Sequence, residues 1–266
     1  MNPSAQIACL LMVAAIAQPA TAAIAATPDA TELMERNHQA SRVGDWRAQT
    51  LFRLIGSNGR IRERFATTMA RRGENGGMAR IARFDTPADV RGTAILTVEQ
   101  PRGDDDIWVF LPALGNVRRL QASNKRDAYM GTDLSYGDVI GHAPEDWTHR
   151  IIGRQIQDGV PCWLVESLPQ TAGIATASGY SRRVNWLRMD NAMMVRAELF
   201  DAAATLAKTI TQTQVTEVAP DRWQAMRVTV ENVRTRHRTE IFITGYVANQ
   251  GLKPDLFLPR ALERTR

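Results

Sequence analysis

Apolar and polar residues alternate with a period of two over much of this chain. From Trp46 to Leu54 the even positions are Trp, Ala, Thr, Phe and Leu, while the odd ones include Arg47, Gln49 and Arg53. That is the pattern of a strand with one buried and one wet face. Gly56-Ser57-Asn58-Gly59 then supplies a turn able to adopt positive φ. The return strand sets Ile61, Phe65 and Met69 against Arg60, Arg62 and Arg64, which predicts a hairpin with Phe52, Leu54, Phe65 and Met69 on its apolar face. Further along, Ala94, Leu96 and Val98 alternate with Thr93, Thr97 and Glu99. Met226, Val228 and Val230 alternate with Arg227, Thr229 and Glu231, and Arg236, Arg238 and Glu240 oppose His237 and Ile241. Roughly ten or eleven strands follow from this reading, more than a flat open sheet carries without curling. The expected fold is mainly β, a strongly curved antiparallel sheet.

Ile107–Leu111 is apolar at every position, as a strand buried on both faces would be. Trp108 and Phe110 share one parity there. Periodicity does not distinguish a packed core from a lined cavity, because both need apolar side chains.

Three segments depart from the period of two. Glu32 to Ala40 reads as a short helix, with Asp29 as cap and Leu33, Met34 and Asn37 on one face. Met193 to Lys208 is rich in Ala and Leu and suits a helix by propensity, whereas Arg196 and Glu198 between apolar neighbours suit a strand. Asp127 to Trp147 interleaves Gly, Pro and acidic residues with Leu134, Tyr136, Val139 and Ile140. It suits short helical turns folded over one end of the sheet, either as a functional flap or as an ordered connection.

The ends and the charge narrow the setting. Residues 1–25 read as a cleavable secretory signal, with an apolar core from Ile7 to Ala17 and small residues at Ala20-Thr21-Ala22 or Ala23-Ile24-Ala25. A core of about 11 residues is too short to span a bilayer. Cys9 begins that core, whereas a lipidated cysteine follows it, so lipidation is not expected. Cys162, in VPCWLV, is then the single cysteine of the exported chain and reads as a buried inert thiol. Residues 26–266 suit one domain, with no Gly/Ser/Pro-rich linker to divide them. The formal charge of +5 suits nucleic acid or anionic lipid; export argues against nucleic acid and leaves transient membrane-surface contact or solubility. All the cations but Lys125, Lys208 and Lys253 are Arg.

No reaction chemistry is legible. His38, His142, His149 and His237 lie outside any nucleophile–base frame such as G-x-S-x-G. Asp104-Asp105-Asp106 lacks the spaced oxygens and glycine of a calcium loop, and no phosphate-cradling glycine pattern opens a helix after a strand. The expectation is a non-enzymatic protein with neither catalytic residues, metal nor cofactor.

Phe84, Pro87, Arg91 and Gly92, then Trp108 to Pro112 with Arg118 and Arg119, then Met130, Gly131, Asp133 and Asp138 occur in an order and spacing that resembles the LolA-like outer-membrane lipoprotein-sorting proteins, in the branch found beside RND-type exporters. The resemblance extends from Glu32 to Leu262. It implies an α+β half-barrel covered by short helices, and two strands, about Met194–Phe200 and Leu206–Val215, in the ambiguous segment. It further implies a periplasmic monomer that holds lipid or lipoprotein acyl chains in an apolar cavity, with an RND-type inner-membrane exporter as candidate partner. Candidate lining residues are Phe52, Leu54, Phe65, Met69, Leu96, Val98, Trp108, Phe110, Met226, Val228 and Val230. Leu134, Tyr136 and Val139 are candidates for the inner side of the flap, with Gly131 and Gly137 as its hinges. A two-chain lipid of about 30 methylenes loses on the order of 20 kcal/mol on entering water, so a soluble carrier must offer replacement apolar surface. The alternative is an envelope sensory or scaffold protein on the same fold that binds another protein rather than lipid.

Overall fold

A computed structural model describes residues 27–101, 103–121 and 125–263; the expected signal and Cys9 lie outside them. In chain order the strands are β1 (Asp45–Ile55), β2 (Ile61–Arg72), β3 (Met78–Thr86), β4 (Ala94–Val98), β5 (Asp106–Leu111), β6 (Asn116–Leu120), β7 (Trp147–Gln157), β8 (Val160–Pro169), β9 (Arg182–Arg188), β10 (Met194–Phe200), β11 (Leu206–Ala219), β12 (Arg222–Asn232) and β13 (His237–Ala248). Among the described residues they form one 13-stranded sheet in the order β6-β5-β4-β3-β2-β1-β13-β12-β11-β10-β9-β8-β7, more than the ten or eleven expected. A strand as short as β6, with five residues, carries too few positions to display a period. The ambiguous segment is β10 and β11, as the strand reading required; propensity alone would have made it helical.

The sheet is antiparallel throughout, and β1 pairs with both β2 and β13, so the first and last strands lie side by side near its centre. Ile95 of β4 and Arg183 of β9, from opposite wings, line one cavity, so the sheet curls around a concave face. Register shifts at Arg47/Gln49, Ile151/Gly153 and Glu217/Ala219 mark bulges, which increase local twist. The edges β6 and β7 do not pair with each other, and the barrel stays open.

α1 (Ala30–Ala40) begins at Asp29, whose carboxylate accepts the Glu32 N–H at 2.9 Å. It lays Leu33 and Met34 against Trp163, Val165 and Leu187 at one end of the concave face. α2 (Tyr136–Ile140) belongs to the segment covering the other end, and α3 (Ala172–Ser178) follows β8. On the convex face, Asp45 accepts the N–H groups of Gln250, Gly251 and Leu252 at 2.8–3.1 Å. This directs the C-terminal turns back over β3 to β5, where Phe257 and Leu262 pack on Met69, Ile81, Ala94 and Leu96.

Cross-strand register corrects the parity expected of three strands. In β2, Arg64 stands opposite Phe52 and Arg62 opposite Leu54, so these arginines share the concave side. Ile61 and Phe65 turn outward and are 56% and 47% exposed. In β4 and β5 the concave residues are Ile95, Thr97, Ile107 and Val109. Leu96, Val98, Trp108 and Phe110 face the C-terminal turns instead. Because that segment buries the convex side, both parities are apolar and alternation has no sign to read. Cys162 is fully buried and has no disulfide partner among the described residues, and burial raises its thiol pKa.

Candidate functional site

The segment between β6 and β7 folds into a small flap. Tyr129 donates its N–H to the Leu134 carbonyl and Tyr136 to that of Asp127, closing a loop that continues into α2. Ser135 caps this helix reciprocally: its hydroxyl accepts the Asp138 N–H at 3.1 Å, and the Asp138 carboxylate accepts the Ser135 N–H at 2.9 Å. Tyr129 and Tyr136 meet edge to face with centroids 5.4 Å apart. Both pack on Phe52, Phe84, Ile95 and Ile241 of the sheet.

Polar anchors hold the flap at its rim. Asp133 accepts the Thr239 hydroxyl at 2.7 Å and lies 2.7 Å from His237 Nδ1, while its N–H donates to Thr239 Oγ1 at 3.0 Å, tying it to β13. Asp138 accepts Tyr180 Oη at 3.0 Å and Lys208 Nζ at 3.1 Å, with His142 Nε2 3.6 Å away. Burial opposes the charged form of Asp138, yet His142, Lys208 and the Ser135 N–H together hold its carboxyl well below the usual carboxylate range. On the β2 side the Arg64 guanidinium donates to the Met130 carbonyl. After the flap, His149 Nε2 donates to the Pro144 carbonyl at 3.0 Å, and Nδ1 accepts the Ser167 hydroxyl at 2.8 Å.

Flap, sheet and α1 enclose a cavity of about 420 Å³. Its flap end is largely apolar, with Phe52, Ala82, Ile95, Val228 and Ile241 from the sheet and Tyr129, Leu134, Val139 and Ile140 from above, and Asp138, His142 and Arg183 also reach the lining. Its α1 end is polar, with Asn37, His38, Arg42, Thr50, Thr68, Arg80 and Thr97. Thr50 and Thr68 pair through their hydroxyls at 2.8 Å. Arg42 forms a close ion pair with Glu99, which also accepts the Met78 N–H at 3.1 Å. Burial, then the Arg42 charge, lowers the His38 pKa to about 4, so its imidazole is neutral at pH 7.

Of the expected lining residues, Phe52, Met69 and Val228 border this cavity, as do Leu134 and Val139 of the flap. Met69 also belongs to the convex-face cluster. Leu54 and Val230 are fully buried in the packing around it and Tyr136 is nearly so, without reaching the cavity. Met226 is half-buried and outside the lining. Phe65, Leu96, Val98, Trp108 and Phe110 lie on the convex side for the reasons above. Gly131 has the positive φ, 69°, of a bend. Gly137, by contrast, lies within α2 with the Lys125 carbonyl 3.4 Å from where a side chain would begin, a close-packed position rather than a free pivot.

The polar residues were missed as site residues. Asp133 and Asp138 carried the resemblance without a role; the S-x-x-D frame of Ser135 and Asp138 was the available signal for a cap. Arg80 and Thr97 gave none, since a polar residue on a strand reads as solvent-facing. Gly92, another residue of the resemblance, has φ 81° and Pro112 Cγ 3.0 Å from a Cβ position, so a side chain would clash there.

A family model described as an uncharacterised protein matches residues 76–264. No curated protein matches the chain. Among solved structures, a domain from Vibrio parahaemolyticus named for outer-membrane lipoprotein sorting is similar at 26% identity and a TM-score of 0.82, over 88% of this chain and 98% of that one. A DUF1329 family protein from Desulfovibrio piger has 28% identity and a TM-score of 0.81, over 87% and 97%. A LolA superfamily protein from Nitrosomonas europaea shares the fold at 16% identity, with a TM-score of 0.66 over 87% and 98%. The architecture is that of the LolA-like half-barrel.

Proposed function

Because the chain belongs to the DUF1329 family of uncharacterised proteins, whose fold here is a LolA-like half-barrel, we propose that it is a periplasmic, non-enzymatic carrier of lipid or lipoprotein acyl chains, loaded beside an RND-type inner-membrane exporter. The observation that carries this reading is the cavity of about 420 Å³ between the apolar flap residues Leu134 and Val139 and the sheet residues Phe52, Ile95 and Val228. Its volume falls at the low end of the ~300–1,000 Å³ of small-molecule pockets. It suits one acyl chain, and a bulkier cargo requires the flap to move. A flap anchored by polar contacts at its rim is a sound cover for such a space, since the apolar lining is hidden when empty. The similarity to a domain named for lipoprotein sorting supports the same reading.

Native mass spectrometry of the protein purified from its own periplasm tests it. Co-purifying lipid is expected, together with uptake of acylated probes that Val139→Arg abolishes by placing a charge in the cavity. A lipid-free protein that takes up no acylated probe overturns the carrier reading. Co-purification with an RND-type exporter from cross-linked membranes tests the partner. The scaffold alternative draws on the open edge strand β7, where Ile152 and Ile156 are 44% and 70% exposed. Capture of a stoichiometric envelope protein on β7, lost on Ile156→Lys, would favour it.

A further inference from the structure

The polar end of the cavity has chemistry that an acyl chain alone does not use. Arg80 and Thr97 stand directly opposite each other on β3 and β4, and both line the cavity. Arg80 Nη1 and Thr97 Oγ1 are each buried with no hydrogen-bond partner among the described residues. Unsatisfied buried donors are rare and costly, and here two of them face one enclosed space from neighbouring strands.

The nearest carboxylate does not satisfy Arg80. Glu99 lies 3.8 Å from Arg80 Nη1, beyond hydrogen-bond reach. Its oxygens are already engaged by Arg42 and by the Met78 N–H. His38, 3.7 Å from Glu99, is neutral at pH 7 and adds no charge. Two guanidinium groups therefore share the Glu99 carboxylate, and the charge of Asp105 reaches Arg80 without a hydrogen bond. Burial lowers the Arg80 pKa only to about 10, so the guanidinium remains charged. Beyond His38 and Arg42 a second cavity of about 330 Å³ is lined by Glu99, Asp105, Glu145 and Asp146 against Arg42 and Lys125, so an anionic group would stop at Arg80 and Thr97 rather than pass deeper.

We propose that the cargo is an amphiphile with an anionic head group, a carboxylate or a phosphate, bound by Arg80 and Thr97 at the α1 end while its acyl chain lies under the flap. This assignment rests on the carrier reading and names its ligand class. The head group would accept a charge-assisted hydrogen bond from Nη1 and a second from the Thr97 hydroxyl.

Titration of the whole exported protein at neutral pH with lauric acid, lauryl phosphate and lauryl alcohol separates the two claims. One or both anionic probes should bind about tenfold tighter than the alcohol, and the tighter of the two identifies carboxylate or phosphate. Arg80→Gln and, independently, the nearly isosteric Thr97→Val should each reduce that preference, Arg80→Gln to within about twofold of equality. Equal binding of all three probes overturns the head-group assignment and leaves the carrier intact. An anionic preference undiminished in both variants overturns the assignment to this pair. Failure of all three to bind overturns the carrier reading and this inference with it. Should Arg80→Gln fail to fold, Thr97→Val still decides.

Discussion

The two covers of the concave face are built on opposite plans. The flap presents Leu134, Val139 and Ile140 to the cavity together with Asp138, whose buried carboxylate is taken up by Tyr180 and Lys208, while Asp133 contacts β13. At α1 the order is reversed: Leu33 and Met34 pack against the sheet, and the helix and the turn after it bring His38 and Arg42 to the cavity. At the flap the lining carboxylate is paired; at the α1 end Arg80 Nη1 and Thr97 Oγ1 have no hydrogen-bond partner among the described residues. An uncharged hydrocarbon would need only the first, whereas the proposed anionic amphiphile would use both. Each cover can be disturbed separately.

The largest effect is expected at the flap anchor. Asp138→Ala leaves Lys208 Nζ and Tyr180 Oη without their shared acceptor and removes the half of the α2 capping box in which the Asp138 carboxylate accepts the Ser135 N–H. Breaking a buried ion pair from one side costs on the order of 3–5 kcal/mol. The urea midpoint should fall accordingly with little change in slope, and the flap should become the first site of proteolysis. Asp138→Asn keeps the shape without the charge and should lose less. If both variants unfold like the parent protein, Asp138 does not hold the flap.

The α1 end should respond to pH instead. Burial lowers the His38 pKa from 6.5 to about 4, so below pH 6.5 the unfolded chain binds a proton that the folded protein refuses. Stability is then lost as pH falls from 6.5 toward 4, by at most about 3 kcal/mol from His38. His142 and His149, also lowered chiefly by burial, act in the same direction. Urea unfolding across this range should show the decline, and His38→Gln should flatten part of it. An unchanged slope in the variant would remove His38 from the account.

What the sequence made legible follows from which positions have one buried side. β1 reads directly, because most of its odd positions are polar and its even ones face the core, Phe52 among them. Val228 follows the same logic on β12, although its neighbour in parity, Met226, does not reach the cavity. β4 and β5 fail because the C-terminal turns give them a second buried face, a contact made across more than a hundred residues that no local pattern records. β2 fails for another reason. Arg62 and Arg64 look like a wet face, yet they share the concave side where the flap meets the sheet through Arg64. Local periodicity assumes that concave means apolar, and at both Arg64 and Arg80 it does not.

The smallest effect, and the one that separates the two covers most cleanly, is expected from Arg64→Ala. Its guanidinium donates to the Met130 carbonyl from the strand next to Phe52, far in register from Arg80 and Thr97. Removing a charge-assisted hydrogen bond of this kind costs about 1–2 kcal/mol. Here the loss falls on closure of the flap, because Met130 belongs to the flap and Arg64 is only partly buried. The variant should take up lauric acid and lauryl alcohol about tenfold faster in stopped-flow mixing, with the ratio of their affinities unchanged. Faster uptake with a preserved ratio would mean that the flap controls entry while the α1 end controls choice. A ratio that moved with Arg64 would mean that closure of the flap itself positions the head group, and the two ends would have to be treated as one device.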